Sequence, residues 1–536
     1  SSDLETTICG GTAFTISPQN GGSEIVPAGT VYTWTVVPNA NVSGESNQAT
    51  AQATISQTLT NNTNQVQTVV YTVTPSVNGA CTGNTFTVTV TVNSTPVVPA
   101  QTQTICSGGT FTVSPTDNAP TTIIPSNTTY TWTVATNTNV SGQSAQATAQ
   151  TTISQTLTNL TNVTQTVVYT VTPTSGAQGS CVGNTFTITV TVSPKPTINA
   201  QTTSSCSGTA FTFAPANGGG NIVPSNTTYT WTAPTVTGNV TGGVNGSGTS
   251  ITGTLTNPTN TPQTATYTVT PTSGSCGGSS FTLTVTINPK PVVPAQTQTI
   301  CSGGTFTVSL TDNAPTTIIP SNTTYTWTVA ANANVSGQSN QATAQATISQ
   351  TLTNLTNQVQ TVVYTVTPTS GAQGSCAGST FTITVTVNPK PVLPAQSQTI
   401  CSGGTFTVAP TNAQPTTIIP TGTTYTWTVV DNPNVTGESN QATPQSSISQ
   451  TLTNATNQSQ QVVYTVTPTS GAQGNCVGSS FTLTVTLSSR PSIADKEATI
   501  CGGTAFTVSP QNGGSEIVPA GTVYTWTVVP NRSEEH

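Results

Sequence analysis

Cysteine is the residue type in this sequence whose chemistry stands out most clearly. The 536-residue chain contains 11 cysteines, and all but Cys501 recur in regularly spaced twos. This regularity predicts one disulfide within each repeat, and therefore an oxidising, extracellular setting. The predicted pairs are Cys9/Cys81, Cys106/Cys181, Cys206/Cys276, Cys301/Cys376 and Cys401/Cys476, with Cys501 left unpaired.

Other side chains that could do chemistry are few and scattered. Charged residues make up 4% of the chain, and its one histidine is His536. The cysteines lack the close spacing of zinc ligands, and calcium would need clustered carboxylates. Acid–base catalysis needs a nucleophile with a base, or paired carboxylates, and the repeats share neither. We therefore predict no catalytic residue, no metal site and no cofactor, and conclude that the protein is not an enzyme.

Each repeat also contains one tryptophan, at a nearly constant distance after a cysteine, as from Cys9 to Trp34 and from Cys106 to Trp132. In the segment 324–329, Tyr, Trp and Val share one parity and Thr the other, which is typical of a half-buried strand. We predict that this strand forms the centre of each hydrophobic core. The predicted core tryptophans are Trp34, Trp132, Trp231, Trp327, Trp427 and Trp526.

The period of about 100 residues divides the chain into modules, each long enough to fold alone. We predict five complete modules and one partial module. They comprise residues 5–95, 96–195, 196–290, 291–390 and 391–490, followed by the partial module at 491–531.

Both ends of the sequence differ from the repeat pattern. Residues 500–531 repeat 8–39 with one change, Ile16 to Val508, and the match then stops at residue 532. Residues 1–4 and 532–536 could be encoded by codons that resemble a sequencing adapter. We interpret these residues as non-native ends of a piece of a longer repetitive gene. The alternative is a genuine end whose missing strands come from another copy.

Within a module, apolar and polar residues alternate in six segments, shown here for module 4. They are the strands predicted at 296–301, 305–308, 324–329, around Ile348 and Leu352, at 362–368 and at 381–387. The connector at 316–320 could add a seventh, and the polar segment after Val329 is predicted to be a variable loop. No segment has a sustained helical period. The pattern favours an all-β, immunoglobulin-like sandwich.

Two cysteine pairings compete within this architecture. The turn before the last strand could bring Cys376 back towards Cys301. The rival pair Cys376/Cys401 is separated by the whole last strand, which spans about 25 Å, whereas bridged Cα atoms lie within about 7 Å. We therefore predict the bond between Cys301 and Cys376, which in the chain-entropy model would stabilise a module by roughly 4 kcal/mol.

Composition restricts the partners. With 6 Lys+Arg against 13 Asp+Glu, the chain lacks the basic surface that nucleic acid requires. No apolar run is long enough to span a membrane. Proline-rich linkers such as 288–294 predict semi-rigid spacers between modules and hence a rod. A surface with so little charge favours self-association into fibres.

The repeated motifs resemble those of a known family. Thr-Ile-Cys-Ser-Gly-Gly-Thr-Phe-Thr-Val (299–308), Tyr-Thr-Trp-Thr (325–328) and Cys-x-Gly-x-x-Phe-Thr-x-Thr-Val-Thr-Val (376–387) are similar to PKD-like modules of large Bacteroidota surface adhesins, including those of gliding species. The Trp-Asp-Phe-Gly-Asp-Gly motif of ordinary PKD domains is absent. The resemblance implies a secreted or surface-attached protein that acts in adhesion or forms fibres.

Together, these observations predict an extracellular structural repeat protein that forms a rod or filament, as an adhesin stalk or a fibre subunit. The alternative is a multivalent array that binds glycans or another surface through repeated loops. The Gly-rich region 238–253 of the third module departs most from its neighbours and is the best candidate for such a binding region.

Overall fold

A computed structural model describes residues 3–22, 24–176, 179–371, 374–471 and 474–529. Every regular element in these ranges is a β-strand, and the strands form five two-layered sandwiches in tandem. The all-β, immunoglobulin-like prediction is therefore confirmed. Of the residues interpreted as non-native, 1–2 and 532–536 lie outside the described residues, whereas Leu4 begins the first strand and pairs with Val88.

Module 4 shows the architecture shared by the complete modules. Its strands are β27 (Gln296–Cys301), β28 (Gly304–Val308), β29 (Thr324–Val329), β30 (Val335–Ser336), β31 (Gln341–Gln345), β32 (Ile348–Asn354), β33 (Gln360–Thr369) and β34 (Phe381–Asn388). The larger sheet has the order β27-β34-β33-β29-β31 and the smaller sheet the order β28-β32-β30. All six predicted strands are present.

The other complete modules repeat this order with small variations. Module 1 comprises β1 (Leu4–Cys9), β2 (Thr12–Ile16), β3 (Thr30–Val36), β4 (Val42–Ser43), β5 (Gln48–Gln52), β6 (Ile55–Asn61), β7 (Gln67–Val77), β8 (Cys81–Thr82) and β9 (Phe86–Asn93). Module 2 comprises β10 (Gln101–Cys106), β11 (Gly109–Val113), β12 (Thr129–Val134), β13 (Val140–Ser141), β14 (Gln146–Gln150), β15 (Ile153–Asn159), β16 (Gln165–Thr174) and β17 (Phe186–Ser193). Module 3 comprises β18 (Gln201–Cys206), β19 (Ala210–Phe213), β20 (Thr228–Trp231), β21 (Thr235–Val236), β22 (Gly246–Gly248), β23 (Ile251–Thr254), β24 (Gln263–Ser273), β25 (Cys276–Gly277) and β26 (Phe281–Asn288). Module 5 comprises β35 (Gln396–Cys401), β36 (Gly404–Val408), β37 (Thr424–Val429), β38 (Val435–Thr436), β39 (Gln441–Gln445), β40 (Ile448–Asn454), β41 (Gln460–Thr469) and β42 (Phe481–Ser488).

The core of each sandwich is built from the alternating apolar residues of both sheets. In module 4, Trp327 is 6% exposed, and the rings of Phe306 and Tyr364 pack across the two layers with their centroids 5.2 Å apart. Burying side chains of this size supplies most of the favourable free energy of folding. The tryptophans of the five complete modules are 4–8% exposed, so their predicted core position is confirmed.

The predicted core position of Trp526 is wrong, because its side chain is 81% exposed. In module 5, the equivalent Trp427 is covered because β37 pairs with β41 and the smaller sheet packs over it. The described residues of the partial module, 491–529, contain no strand that could do the same. A half-buried strand cannot bury its apolar face without a second layer.

The predicted variable loop after Val329 is also corrected. It contains β30 and β31, and β31 extends the larger sheet by pairing with the tryptophan strand β29. Val335 of β30 is 4% exposed and belongs to the core. The sequence pattern missed these strands because one is only two residues long and the other exposes Ala and Thr side chains.

One feature of the larger sheet determines where the cysteines lie. The first strand of a module runs parallel to the last strand, so in module 4 Cys301 pairs with Asn388, the final residue of β34. We call the end of the module where these residues meet its downstream pole. The opposite end, where β34 begins at Phe381, is its upstream pole.

Candidate functional site: the junction between modules

The two cysteines of one module lie at opposite poles. Cys301 is at the downstream pole beside Asn388, whereas Cys376 precedes the start of β34 at the upstream pole. The eight residues of β34 separate the two poles by roughly 25 Å at about 3.3 Å per residue. A disulfide requires Cα atoms within about 7 Å, so these two cysteines cannot bond to each other.

The structure instead joins consecutive modules. The cysteine at the downstream pole of one module bonds to the cysteine at the upstream pole of the next, with Cα atoms 5.5–5.6 Å apart. Each bond closes a segment of 170–175 residues. The four disulfides are Cys9–Cys181, Cys106–Cys276, Cys206–Cys376 and Cys301–Cys476.

The prediction of one disulfide within each module is therefore wrong for Cys9/Cys81, Cys106/Cys181, Cys206/Cys276, Cys301/Cys376 and Cys401/Cys476. The length of the last strand, which excludes the pair Cys376/Cys401, excludes Cys301/Cys376 equally. The first cysteine was predicted at the wrong pole because the sequence does not reveal that the first strand runs parallel to the last. Cys81, Cys401 and Cys501 are exposed and unbonded.

The linker provides a second set of contacts at the junction. Val292, in the linker before module 4, exchanges two backbone hydrogen bonds with Ile318, at N–O distances of 3.0 and 2.8 Å. The next residue, Val293, is 9% exposed and belongs to the core of module 4. The linker is thus docked on the module that follows it rather than acting as a spacer. Equivalent bridges join Val97 to Ile123, Thr197 to Ile222, Val392 to Ile418 and Ser492 to Ile517.

A glycine two residues after the upstream cysteine lets the linker approach closely. A Cβ atom added to Gly278 would lie 2.4 Å from the backbone oxygen of Pro196, far inside the contact distance. Equivalent glycines at 183, 378 and 478 would place a Cβ atom 2.2–2.5 Å from the Pro96, Pro291 and Pro391 oxygens. The Cys-x-Gly motif was visible in every complete module, but its sequence alone does not assign it this role.

A buried asparagine fixes the turn that follows the downstream cysteine. In module 4, Asn354 is 2% exposed, and its side-chain amide donates hydrogen bonds to the backbone oxygens of Val387 (2.9 Å) and Gln358 (2.7 Å). The Ser302 hydroxyl donates to the Asn354 backbone oxygen at 3.3 Å. Asn354 therefore ties β32 to β34 and to the turn beside Cys301. Sequence reasoning missed it, because Asn is common throughout the chain.

The electrostatics of the modules are dominated by buried neutral groups. Burial raises the pKa of Tyr364 to about 12, and its hydroxyl donates a hydrogen bond of 2.8 Å to the Gln350 side-chain oxygen. Within the described ranges, no three His, Cys, Asp or Glu residues lie close enough together to hold a metal ion. The chemical groups at each junction are therefore a disulfide, which can undergo thiol–disulfide exchange, and the paired backbone of the linker.

Module 1 has a groove at the position where the other modules receive a linker. Its residue Ile25 is the counterpart of Ile517 in the near-identical segment of the partial module. The groove has a volume of about 430 Å³, and its lining includes Ile25, Tyr32 and the unbonded Cys81. The unbonded Cys81 and the linker groove therefore lie at the same pole of module 1, as the upstream cysteine and the docked linker do in the other modules.

The fold and the junction define a tandem array of immunoglobulin-like sandwiches with disulfides between neighbours. A model of the PKD-like domain matches residues 6–96, 103–196, 203–291, 298–391 and 398–491, which is more than half of the chain. The chain therefore belongs to the PKD-like domain family. No curated protein matches it.

Several solved multidomain structures are similar to the chain. Sidekick-1 immunoglobulin domains 1–5 are 10% identical, with 91% of this chain and 98% of that chain covered, at a TM-score of 0.19. The human desmocollin-1 ectodomain is 12% identical with the same coverages and TM-score. The titin fragment I67–I69 is 11% identical over 54% of this chain and 96% of that chain, at a TM-score of 0.25.

The four disulfides indicate an oxidising, extracellular-type environment. In the part of the chain that the structure describes, no helix has the length and hydropathy needed to cross a bilayer.

Proposed function

We propose that this chain is a tension-bearing extracellular rod, serving as a surface stalk or as the subunit of a fibre. The observation that carries the proposal is that every pair of consecutive complete modules is joined by the same two devices. One is the docked linker, and the other is the disulfide from the downstream pole to the upstream pole. A protein whose task is a single binding site has no need for a stiff joint at every repeat.

The physical support comes from attaching each module to the next at separate points. A single flexible linker permits wide bending, whereas a docked linker and a disulfide together restrict rotation about the joint. At the junction before module 4, the linker residue Val293 is packed into the core of module 4. At the same junction, Cys206 of module 3 forms a disulfide with Cys376 of module 4. Bending this junction would expose apolar surface at a cost of about 25 cal/mol per Å².

The surface composition supports lateral assembly of such rods. Charged residues make up only 4% of the chain, so little electrostatic repulsion opposes contacts between copies. We propose further that the protein is secreted or attached to a cell surface, in the manner of the large Bacteroidota adhesins that its motifs resemble.

Electron microscopy of single molecules tests the rod. The oxidised chain should appear as straight particles whose length corresponds to roughly 40 Å per module, from the strand rise plus the loops. The double variant Cys301→Ser/Cys476→Ser should broaden the distribution of angles at the joint between modules 4 and 5 alone. Cys401→Ser, which removes an exposed and unbonded thiol, is the matched control. Parent particles with freely variable angles at every joint would refute the proposal.

The second candidate, a multivalent array that binds glycans or another surface, rests on module 3, where the surroundings of the tryptophan differ from those in the other complete modules. The indole nitrogens of Trp34, Trp132, Trp327 and Trp427 each donate a hydrogen bond to a serine backbone oxygen. Trp231 is 8% exposed, and its indole nitrogen has no hydrogen-bond partner in the described part of the chain. Glycan-array binding by the intact chain that is lost in Val244→Asp, at an exposed position two residues before Gly246, the strand partner of Trp231, would support this candidate.

A further inference from the structure

The four disulfides overlap along the sequence. The bridged segments are 9–181, 106–276, 206–376 and 301–476, and each begins before the preceding one ends. Every peptide bond between Cys9 and Cys476 therefore lies inside at least one disulfide-closed loop. Bonds in 106–181, 206–276 and 301–376 lie inside two. Disulfides confined to single modules would have left every linker unprotected.

This overlap determines how many backbone cuts would separate the chain into an N-terminal and a C-terminal part. A cut between Cys181 and Cys206 leaves both sides joined by Cys106–Cys276. A cut between Cys206 and Cys276 leaves them joined by two disulfides. To free modules 1 and 2 from modules 4 and 5, the backbone must be cut in three segments, 181–206, 206–276 and 276–301. No one or two cuts between Cys9 and Cys476 suffice.

The same connectivity creates short covalent paths along the array. One path crosses the disulfide from Cys9 to Cys181, follows the backbone segment 181–206, and crosses from Cys206 to Cys376. A second path crosses from Cys106 to Cys276, follows the segment 276–301, and crosses from Cys301 to Cys476. Each of these two backbone segments consists largely of the last strand of one module, the docked linker and the first strand of the next. The segments are therefore already extended.

We propose that these segments and disulfides form two interleaved covalent tethers. The tethers carry tension past most of the folded modules, with a single module transferring it from one tether to the other, and they keep the protein in one piece after its backbone is cleaved. The inference rests on the proposed tension-bearing function and specifies how the tension is carried. It also explains why the spacing from the upstream cysteine of one module to the downstream cysteine of the next is constant along the chain, since that spacing is the length of one tether segment.

Trypsin provides a clean test, because the chain has almost no natural sites. Lys195, Lys290, Lys390 and Arg490 each precede a proline, a bond that trypsin does not cut, and Lys496 and Arg532 lie beyond Cys476. The variant Ala200→Lys creates one site at an exposed position of the segment covered only by Cys106–Cys276. After digestion of the oxidised full chain, we expect one band on a denaturing gel without reductant. With reductant, the same sample should split into residues 1–200 and 201–496.

Two companion variants make the test specific. Adding Cys106→Ser/Cys276→Ser to Ala200→Lys removes the one disulfide that spans the cut, so the fragments should separate without reductant. Val244→Lys instead places the cut where two disulfides overlap. Its digestion product should stay in one piece even with Cys106→Ser/Cys276→Ser. Separation of the Ala200→Lys fragments without reductant, in the otherwise unmodified chain, would overturn the proposal.

Single-molecule pulling on the ends of the full chain tests the mechanical part. Two equally short covalent paths join Cys9 to Cys476, and each contains three disulfides and two stretches of backbone, either 181–206 with 301–376 or 106–181 with 276–301. Either pair of stretches corresponds to roughly 350 Å when extended, against roughly 1,600 Å for the whole region between Cys9 and Cys476 after reduction. We expect the contour length of the oxidised region to be about one-fifth of its contour length after reduction. Equal contour lengths would refute the tethers. Short contour lengths combined with freely bent particles in the microscope would refute the rod alone.

Discussion

At the residue scale, the lack of a side chain at one glycine lets the linker dock on the module that follows it. Gly278 lies where the linker crosses the upstream pole of module 3, and an added Cβ atom would meet the Pro196 oxygen at 2.4 Å. The Gly278 amide donates a hydrogen bond to the Pro271 backbone oxygen, and Thr197, next to Pro196, exchanges two backbone hydrogen bonds with Ile222, so neither side can move aside without breaking hydrogen bonds.

Gly278→Ala should therefore destabilise module 3 and its junction by about 1–3 kcal/mol, the usual cost of overpacking. The neighbouring Gly277 is the matched control, since a Cβ atom there has no neighbour within 4 Å. Chemical unfolding of the two variants measures the difference. Equal midpoints for Gly278→Ala and Gly277→Ala would show that the linker is not closely docked in solution.

Tyrosine burial predicts a loss of stability at alkaline pH. The pKa of Tyr364 is raised to about 12 by burial, whereas an unfolded tyrosine ionises near pH 10. A raised pKa means that the folded state holds the proton more tightly. The contribution to stability is thus complete below pH 10 and is lost as the pH rises from 10 to 12.

The pH dependence can be measured by chemical unfolding between pH 8 and 12, in a background where Cys81, Cys401 and Cys501 are replaced by Ser to prevent thiol–disulfide exchange. The free energy of unfolding should be nearly constant to about pH 10 and then fall. Tyr364→Phe should reduce the slope above pH 10. An unchanged slope would mean that this hydroxyl does not contribute.

At the element scale, the parallel pairing of the first and last strands has the largest consequences. It places the end of the first strand beside the end of the last, so that Cys301 and Asn388 share the downstream pole. The turn after Cys301 is held there because the Ser302 and Gly303 amides donate to the Asn388 and Leu352 backbone oxygens at 2.9 and 2.8 Å. The buried Asn354 hydrogen-bonds to Val387 of the last strand and to Ser302, the residue directly after the first strand.

Asn354→Ala tests this arrangement. The change would leave the Val387 backbone oxygen and the Thr356 amide without their side-chain partners. Unsatisfied buried polar groups cost about 1–3 kcal/mol each, so module 4 should lose at least that much stability. Gln358→Ala, at an exposed neighbouring position, should have little effect. Hydrogen exchange of module 4 amides measures both, and equal protection in the two variants would contradict the proposed role.

At the scale of the whole molecule, the disulfides couple the stabilities of neighbouring modules. Each bond closes a segment of at least 170 residues, for which the chain-entropy model gives about 5 kcal/mol. That constraint acts in full only when both modules that the loop spans are unfolded. The stabilisation therefore belongs to pairs of modules rather than to single ones.

Cys206→Ser/Cys376→Ser should destabilise modules 3 and 4 by up to about 5 kcal/mol shared between them, and should therefore lower both of their unfolding temperatures. Modules 1 and 5, which contribute no residue to this bond, should be unaffected. Differential scanning calorimetry of the full chain, with Cys401→Ser as control, measures the change. A shift confined to one module would argue against coupling through the junction.

The sequence by itself determined six of the eight strands of module 4, most of its core and the repeat. Alternation of large apolar residues with Thr is a local property, so the strand at 381–387 and the core position of Trp327 could be predicted without any knowledge of packing. The all-β sandwich followed from the number and spacing of such strands. The exposed Trp526 was missed because burial also requires the second layer, which local alternation does not report.

Only the tertiary structure decided how the modules are joined. The spacing of the cysteines fits bonds within modules as well as bonds between them, so the choice depends on which pole each cysteine occupies. That position is set by the parallel pairing of two strands from opposite ends of the module's sequence, such as Thr299 with Thr386, and no local pattern encodes it. The docked linker was missed for the same reason, because Val293 becomes a core residue only through contact with the module that follows.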